Sequence, residues 1–184
     1  MEFPVEFPLI ATPRLWLRPF APADAPVVQQ LAGAPEIADT TARIPHPYPE
    51  GAAVTWIATH AQEWAARREL VLAITLADGG QVAGSIGLVF EPEHEKAELG
   101  YWIGLPFWGK GFASEAAGAL VEFAFTRLGL NRVQAHHLAR NPASGRVLLK
   151  AGLRREGFSP CAMKKNGRYE DVVIYGALRR DRPA

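Results

Sequence analysis

The 184 residues have an ordinary globular composition, with 48% hydrophobic and 21% charged side chains. Twenty Lys and Arg against nineteen Asp and Glu leave a net charge of +1, so the chain offers no electrostatic footprint for nucleic acid or an anionic membrane. The single Cys161 excludes an internal disulfide, and no stretch approaches the roughly 20 apolar residues that a membrane span needs. The opening residues lack a signal-peptide pattern, so we expect a cytoplasmic protein.

The length suits one domain, which we expect to span residues 1–184. Its first residues, "EFPVEFPL", contain prolines that prevent a regular helix, so we expect residues 1–10 to form an extended arm. "RLWLR" follows, with Leu15 and Leu17 on one face, as in a half-buried strand. "APADAPVVQQLAG" opens with Pro and Asp and ends at Gly33, which predicts a helix, and the three prolines of "IPHPYPEG" predict a loop.

A long amphipathic helix and a hairpin are predicted next. Within "AAVTWIATHAQEWAARREL", apolar residues at helical spacing define the expected apolar face: Val54, Ile57, Ala58 and Ala61. "LVLAITLADGGQVAGSIGLVF" predicts two strands around the turn "ADGGQ", and "KAELGYWIGL" predicts a third strand after them.

The second half of the chain predicts two helices and three further strands. In "FASEAAGALVEFAFTRLGL" the helical stripe is made largely of small residues: Ala113, Ala116, Ala117, Leu120, Val121, Ala124 and Leu128. "NRVQAHHLA" then predicts a strand, "NPASGRVLLKAG" a short helix, and "LRREGFSPCAM" and "RYEDVVIYGAL" two closing strands. The fold class is therefore α/β, in the mixed α+β sense, with an antiparallel hairpin at its centre.

The glycine-rich stretch "GLPFWGKGFASEA" precedes the alanine-rich helix and is typical of an anion site. Gly104 to Lys110 spell most of a nucleoside-triphosphate loop, but Gly111 stands where that loop needs Ser or Thr to hold magnesium. A dinucleotide fingerprint also fails, because Ser114 replaces the third Gly or Ala. Backbone N–H groups at this helix N-terminus can still converge on a pyrophosphate. A glycine turn without a ligand is the alternative that the loop alone leaves open.

Four motifs in order resemble the GCN5-related N-acetyltransferase (GNAT) family, in particular its branch of bacterial ribosomal-protein N-terminal (RimJ/RimL-like) acetyltransferases. They are the strand "AELGYWI", the loop "FWGKGFASEA", the strand "NRVQAHHLA" and the helix "NPASGRVLLKAGL". The resemblance covers nearly the whole chain, from "TPRLWLRPF" to "GRYEDVVIYGAL". It implies a mostly antiparallel sheet of about seven strands, splayed in the middle and flanked by helices, with acetyl-CoA in the opening.

The resemblance also implies which residues bind the cosubstrate. Trp108 stands where the family loop has Arg or Gln, and the loop positions that follow it match. Backbone N–H groups of the loop would hold the pyrophosphate of acetyl-CoA: Gly109, Lys110, Gly111, Ala113 and Ser114. Ile103 would end the strand that pairs with the pantetheine arm, and Asn141 would cap the helix on the other side. No metal is implied.

For the leaving group the sequence departs from many family members. They carry a Tyr on the Asn-x-x-Ala helix, where this chain has Leu148, and Ser144 is the polar substitute expected to donate to the departing thiolate. Ser144 equally fits an ordinary first-turn serine behind an Asn141 N-cap. Gly145 in the helix interior costs roughly 1 kcal/mol against Ala, and we expect close approach of the cofactor to explain it.

For the proton of the amine, Glu98 in "AELGYWI" is the expected base, acting through water, unless it is only a solvated strand charge. His136 and His137 are neighbours on a strand, so one points to each face and either is the next candidate. Cys161 lies outside the motifs and is expected only to pack.

An α-amino group with a pKa near 7.8 is roughly a tenth to a fifth neutral at pH 7, whereas a lysine near 10.4 is neutral at well under 0.1%. We therefore expect acetylation of a protein or peptide N-terminus by direct attack. A small amine such as a polyamine, amino acid or aminoglycoside is the alternative acceptor, and an acyl-CoA-binding module without turnover is the alternative function. A homodimer is compatible with this class.

Overall fold

The computed structural model describes residue 4 and residues 6–181, so Met1, Glu2, Phe3 and Val5 of the predicted arm lie outside the described residues. The described residues form one eight-stranded sheet in the order β1-β2-β3-β4-β5-β6-β8-β7. The strands are β1 (Ile10–Ala11), β2 (Leu15–Arg18), β3 (Glu69–Leu76), β4 (Val82–Glu91), β5 (Lys96–Ile103), β6 (Arg132–Leu138), β7 (Arg154–Lys165) and β8 (Arg168–Leu178). All neighbours pair antiparallel except β5 and β6.

Five α-helices accompany the sheet in the described part of the chain: α1 (Ala25–Ala32), α2 (Pro35–Thr40), α3 (Ala52–Ala65), α4 (Phe112–Thr126) and α5 (Pro142–Lys150). The mixed α/β class is confirmed. The sheet has one strand more than the seven expected, and the two-residue β1 is too short to give a pattern. Helix α2 was also not predicted, since its six residues carry little periodicity. No helix in the described part is long and apolar enough to cross a membrane.

Helix α3 exists as predicted, but the predicted apolar face is wrong. Of the four residues expected there, only Ile57 is buried, and Val54 is 63% exposed. The buried side chains are Ala53, Ile57, His60 and Trp64. The face is set by the large ring of Trp64, which packs against Phe90, whereas alanines and an isolated valine tolerate solvent at little cost.

Helix α4 packs through the predicted stripe of small residues. Ala116, Ala117 and Ala124 are completely buried, together with Leu120 and Val121. Small side chains let the helix lie close to the sheet, and close packing of this kind fills the core without voids. The first turn of α4 is thereby held at the end of β5, beside the glycine-rich loop.

Strands β5 and β6 separate after a short parallel ladder. Only residues 96–98 of β5 pair with residues 132–134 of β6. Beyond that point β5 continues to Ile103 beside β4, and β6 continues to Leu138 beside β8. The predicted splay is therefore present, and it opens a cleft at the carboxyl ends of the two strands.

His60 on α3 is a buried imidazole without a polar partner. It is 5% exposed, and within the described residues neither ring nitrogen has a hydrogen-bond partner. Its ring stacks edge-on against Trp56, with ring centroids 4.5 Å apart, and also contacts Phe20. This burial lowers the pKa of His60 to about 4, so the folded protein holds the ring neutral.

His60 should make the fold sensitive to mild acid. Because the pKa is about 4 in the folded state and about 6.5 in the unfolded state, stability is complete above pH 6.5 and is lost as the pH falls toward 4. We expect wild type to lose about 2 kcal/mol more than His60→Leu between pH 7 and 5. Urea unfolding at both pH values measures this. Exposed His94→Leu is the matched control, and an equal acid loss in wild type and His60→Leu would contradict the prediction.

Candidate active site

Two cavities open along the split between β5 and β6. The loop-side cavity, of about 480 Å³, lies between the end of β5, the glycine-rich loop and the first turns of α4 and α5. The sheet-side cavity, of about 610 Å³, lies between α1, residues 40–49 and strands β4, β5 and β6. Tyr101 and Ser144 line both cavities, together with Thr40, Thr41 and Trp102. The two cavities therefore adjoin where Tyr101 meets Ser144.

The glycine-rich loop presents free backbone donors to the loop-side cavity, which Gly109, Gly111, Ala113 and Ser114 line and Lys110 does not. Gly109 and Gly111 have φ of 74° and 81°, a conformation that side chains with a Cβ rarely adopt. Gly111 caps α4, and within the described residues no protein acceptor is found for the N–H groups of residues 109–114. Converging N–H groups at a helix N-terminus form an anion site. The loop therefore has the geometry of a phosphate-binding nest.

A partly buried carboxylate fixes this loop to the N-terminal strands. Glu115 accepts from the Thr12 hydroxyl at 2.7 Å and from the backbone N–H of Arg14 at 2.8 Å. The guanidinium of Arg14 donates to Glu115 at 2.7 Å and to the Lys110 carbonyl at 2.9 Å. Burial alone would raise the pKa of Glu115, but these hydrogen bonds outweigh it and hold the pKa below its usual value. Sequence analysis missed this brace, because Glu115 lies off the apolar stripe of α4.

Trp108 joins the loop to the end of β5. Its indole N–H donates to the carbonyl oxygen of Ile103, which is the last residue of the strand. The Lys110 ammonium lies 5.4 Å from the Phe107 ring, so part of its contact is with the protein itself. Trp108 thus has a structural role that its motif position alone did not indicate.

Glu98 and His136 lie at the fork of the split and line the sheet-side cavity. Oε1 of Glu98 is 3.4 Å from Nδ1 of His136. The contact with His136 is the main reason that the pKa of Glu98 lies below its usual value, despite burial. His137 points differently: its Nδ1 is 2.8 Å from the Leu138 carbonyl and its ring packs beside Tyr175. The structure therefore pairs Glu98 with His136 and not with His137.

Two further charged groups line the same cavity. Arg43 and Glu69 belong to the sheet-side cavity together with Glu98. Burial raises the pKa of Glu69, although the charge of Arg43 opposes that shift. Neither residue was singled out from the sequence, because nothing in their local pattern marks them.

Ser144 is held by hydrogen bonds from both walls of the cleft. Its backbone N–H donates to the Asn141 side chain at 3.3 Å, as expected for an N-cap. Its hydroxyl lies 2.6 Å from the Tyr101 hydroxyl, which sequence analysis did not identify. Leu148, in the place of the family tyrosine, is buried in the core. The polar group at this site is therefore a Ser–Tyr pair contributed by α5 and β5.

The reason for a glycine at position 145 differs from the one expected. A Cβ at this position would lie 2.7 Å from His137 Nε2 and 2.7 Å from the Tyr175 hydroxyl. The glycine thus lets α5 pack on β6 and β8, and the expectation that cofactor approach explains it is wrong. Cys161 is exposed on β7, so the expectation that it packs is wrong, and it lines neither cavity.

A segment before the proline-rich loop crosses the mouth of the cleft. The Thr40 carbonyl accepts from Asn141 at 3.3 Å, and Arg140 donates to the Asp39 carboxylate at 2.8 Å. The Lys165 ammonium donates to the Ile44 carbonyl at 3.1 Å, and burial lowers its pKa. Residues 39–44, called the strap below, therefore tie α2 to the half of the sheet that contains β6, β7 and β8.

Arg146 and Lys150 line the loop-side cavity from α5. They stand one helical turn apart, so both side chains lie on the same face. The sequence signal was present, as two basic residues four apart after "NPAS".

Among the described residues, no group of three or more His, Cys, Asp or Glu is placed to hold a metal ion.

Comparison with known proteins gives the family. Residues 14–154 match the profile described as "Acetyltransferase (GNAT) domain". The chain is 31% identical over 174 residues to the uncharacterized N-acetyltransferase YoaA of Bacillus subtilis (strain 168), covering 94% of this chain and 98% of that protein. It is 33% identical over 88 residues to a ribosomal-protein-serine acetyltransferase of Escherichia coli (strain K12), covering 48% and 49%. Mycobacterium smegmatis RimJ in complex with CoA-disulfide has the same fold, with a TM-score of 0.86 at 22% identity over 100% of this chain and 93% of that chain.

With the split sheet and the glycine nest, these matches define an N-acetyltransferase. The chain belongs to the GNAT acetyltransferase family, as the four motifs predicted. It is therefore an enzyme that uses acetyl-CoA as acetyl donor, and its similarity to ribosomal-protein acetyltransferases agrees with the predicted branch.

The nest predicts how substitutions in the loop affect acetyl-CoA binding. Gly111→Val should weaken binding at least about tenfold, because a branched side chain is strained at positive φ and obstructs the backbone donors. Its Cβ would also lie 3.4 Å from the Arg14 guanidinium. Lys110→Ala, the matched control, should change the Kd by less than about threefold. Isothermal titration calorimetry measures both, with Gly111→Ala as a milder variant. A larger loss of acetyl-CoA affinity in Lys110→Ala than in Gly111→Val would show that the lysine charge, and not the backbone N–H groups, dominates binding.

Proposed function

We propose that this enzyme acetylates the α-amino group of a protein or peptide by direct attack on acetyl-CoA, in the cytoplasm. The observation that carries the proposal is the meeting of the two cavities at Ser144. One cavity has the phosphate nest, and the other has the Glu98–His136 pair. A donor and an acceptor entering from opposite sides would bring the thioester and the amine together at that point.

The loop-side cavity would hold acetyl-CoA. Backbone N–H groups of residues 109–114 would bind its pyrophosphate, and the β5 edge released from β6 would receive the pantetheine arm as far as Ile103. Arg146 and Lys150 add positive charge to the same cavity wall, which suits a cosubstrate with phosphate groups. Asn141 contributes by capping the helix that carries Ser144.

The sheet-side cavity would hold the amine. The neutral amine attacks the thioester carbonyl carbon, a C–N bond forms, the C–S bond breaks and CoA leaves as a thiolate. The proton released from nitrogen goes to the Glu98–His136 pair, directly or through water. Because the pKa of Glu98 lies below its usual value, this carboxylate is ionised at neutral pH. It is ready to accept the proton of the amine or to orient the amine. Ser144 donates a hydrogen bond to the departing sulfur.

An α-amine suits such a site because a fair fraction of it is neutral near pH 7, so a weak base suffices. The similarity over about half of the chain to a ribosomal-protein-serine acetyltransferase supports a protein substrate. A small cationic amine is the second candidate. One observation favours it: two carboxylates, Glu69 and Glu98, line the acceptor side against the single guanidinium of Arg43.

The acceptor class is tested by a panel of peptides and small amines, with release of free CoA thiol as the measured quantity. We expect peptides with a free N-terminus to be acetylated and their N-acetylated counterparts to be inert. Faster turnover of polyamines or aminoglycosides would show that small amines are the acceptors. Acetyl-CoA binding without thiol release from any acceptor would indicate a binding module.

Replacement of Glu98 should leave a pH signature. We expect Glu98→Gln to be about 100-fold slower than wild type at pH 7 and to recover toward it by pH 9, as the acceptor loses its proton unaided. Initial rates from pH 6 to 9 measure this, with exposed Glu93→Gln as control. Full activity of Glu98→Gln at every pH would remove it as the base and leave His136 as the next residue to replace.

A further inference from the structure

Tyr101 connects β5 to the first turn of α5 where the cavities meet. It lies on β5 beyond Glu98, where β5 no longer pairs with β6. Its hydroxyl oxygen is 2.6 Å from Oγ of Ser144 and 3.2 Å from the Ser144 carbonyl oxygen. Tyr101 thus reaches across the cleft from the strand to the first turn of α5, and contacts the residue that the proposed function places at the leaving group.

The two hydroxyl groups have two protons, which allows two arrangements. In the closed arrangement, Tyr101 donates to the Ser144 carbonyl and Ser144 donates to Tyr101, so no proton faces the cleft. In the open arrangement, Tyr101 donates to Ser144 Oγ, and the Ser144 proton is free to point at an acceptor in the cleft. A neutral thioester sulfur is a poor acceptor, whereas a thiolate is a strong one. Charge developing on sulfur therefore selects the open arrangement.

The high pKa of the Tyr101 hydroxyl means that this group keeps its proton throughout the reaction. Burial raises the pKa of Tyr101 to about 12. A thiol resembling that of Cys has a pKa near 8.5, so transfer of the phenol proton to the thiolate would be uphill. Tyr101 therefore acts only as a hydrogen-bond donor and acceptor, and the thiolate leaves as an anion with a hydrogen bond from Ser144.

We propose that Tyr101 is a positioning residue that orients the Ser144 hydroxyl toward the leaving sulfur as negative charge develops there. The inference rests on the proposed function, in which Ser144 faces that sulfur. It assigns to Tyr101 an effect on the chemical step and none on the binding of acetyl-CoA. A tyrosine that only braced β5 against α5 would have the opposite signature.

The first experiment compares steady-state kinetics of Tyr101→Phe, Ser144→Ala and the double variant. Tyr101→Phe keeps the ring but removes the hydroxyl, and should lower kcat about tenfold with the KM for acetyl-CoA within about twofold. The double variant should be no slower than Ser144→Ala alone, because Tyr101 acts through Ser144. Tyr169→Phe, which removes a hydroxyl that is 69% exposed on β8, is the matched control and should equal wild type.

Losses that multiply in the double variant would show that Tyr101 acts independently of Ser144, and would overturn the proposal. A rise in the KM for acetyl-CoA without a change in kcat would overturn it as well. Thermal melts of each variant identify a general loss of folding.

The second experiment needs no acceptor. The thiol of bound CoA is titrated by ultraviolet absorbance of its thiolate, in the wild type and each variant. We expect the pKa of the bound thiol to be about one unit lower in wild type than in Tyr101→Phe and in Ser144→Ala, a tenfold difference in thiolate stability. Equal values in all three would overturn the role of Tyr101. Should the amine panel give no acetylation at all, the proposed function fails, whereas this titration still decides the Tyr101–Ser144 relation.

Discussion

The parallel ladder between β5 and β6 ends at Glu98, and the site depends on that ending. An ordinary parallel pair would continue its evenly spaced hydrogen bonds along the shared length. Here the rest of β5 is left with β4 alone on one side, and the rest of β6 with β8. The unpaired edge forms a wall of the loop-side cavity. The last paired register, Glu98 with Gln134, places Glu98 beside His136, two residues further along β6 on the same face. An ordered sheet therefore holds a cleft in its middle without a separate domain to form it.

A split of this kind needs other contacts to hold its two halves at a fixed distance. Inside the cleft, Tyr101 reaches Ser144 across the gap. Outside it, the strap is hydrogen-bonded to Arg140, Asn141 and Lys165. Lys165 loses hydration by burial, and the carbonyl groups that it meets offset part of that loss. Polar side chains thus replace the missing backbone ladder, and their positions also define where a donor and an acceptor can meet.

The sequence predicted the order and type of most elements, because alternation and helical spacing depend on neighbours in the chain. It also indicated the glycine turn, since positive φ at Gly109 and Gly111 is a local requirement. Binding of the pyrophosphate by this turn stays a prediction. Long-range contacts were not predictable. Tyr101 and Ser144 are separated by 43 positions, and no local sequence pattern around either residue predicts their contact.

Helix α3 shows a second limit of sequence reasoning. Its period was clear, but alanines occur on several faces, so the choice of buried face depended on where Trp64 finds room in the core. The α-helical spacing determines which residues share a face, and packing against the sheet determines which face is inside.

The brace between Arg14 and Glu115 joins residues 101 positions apart in the chain. A contact of such separation closes a long loop, and the entropy lost on closing that loop opposes it. The alanine-rich α4 can form from local interactions, but its glycine entrance is also held by contacts with the turn after β1. The shape of the glycine-rich loop therefore depends on residues 101 positions earlier in the chain. Damage to the N-terminal strands would reach the glycine-rich loop through Arg14, which is bound both to Glu115 and to the Lys110 carbonyl.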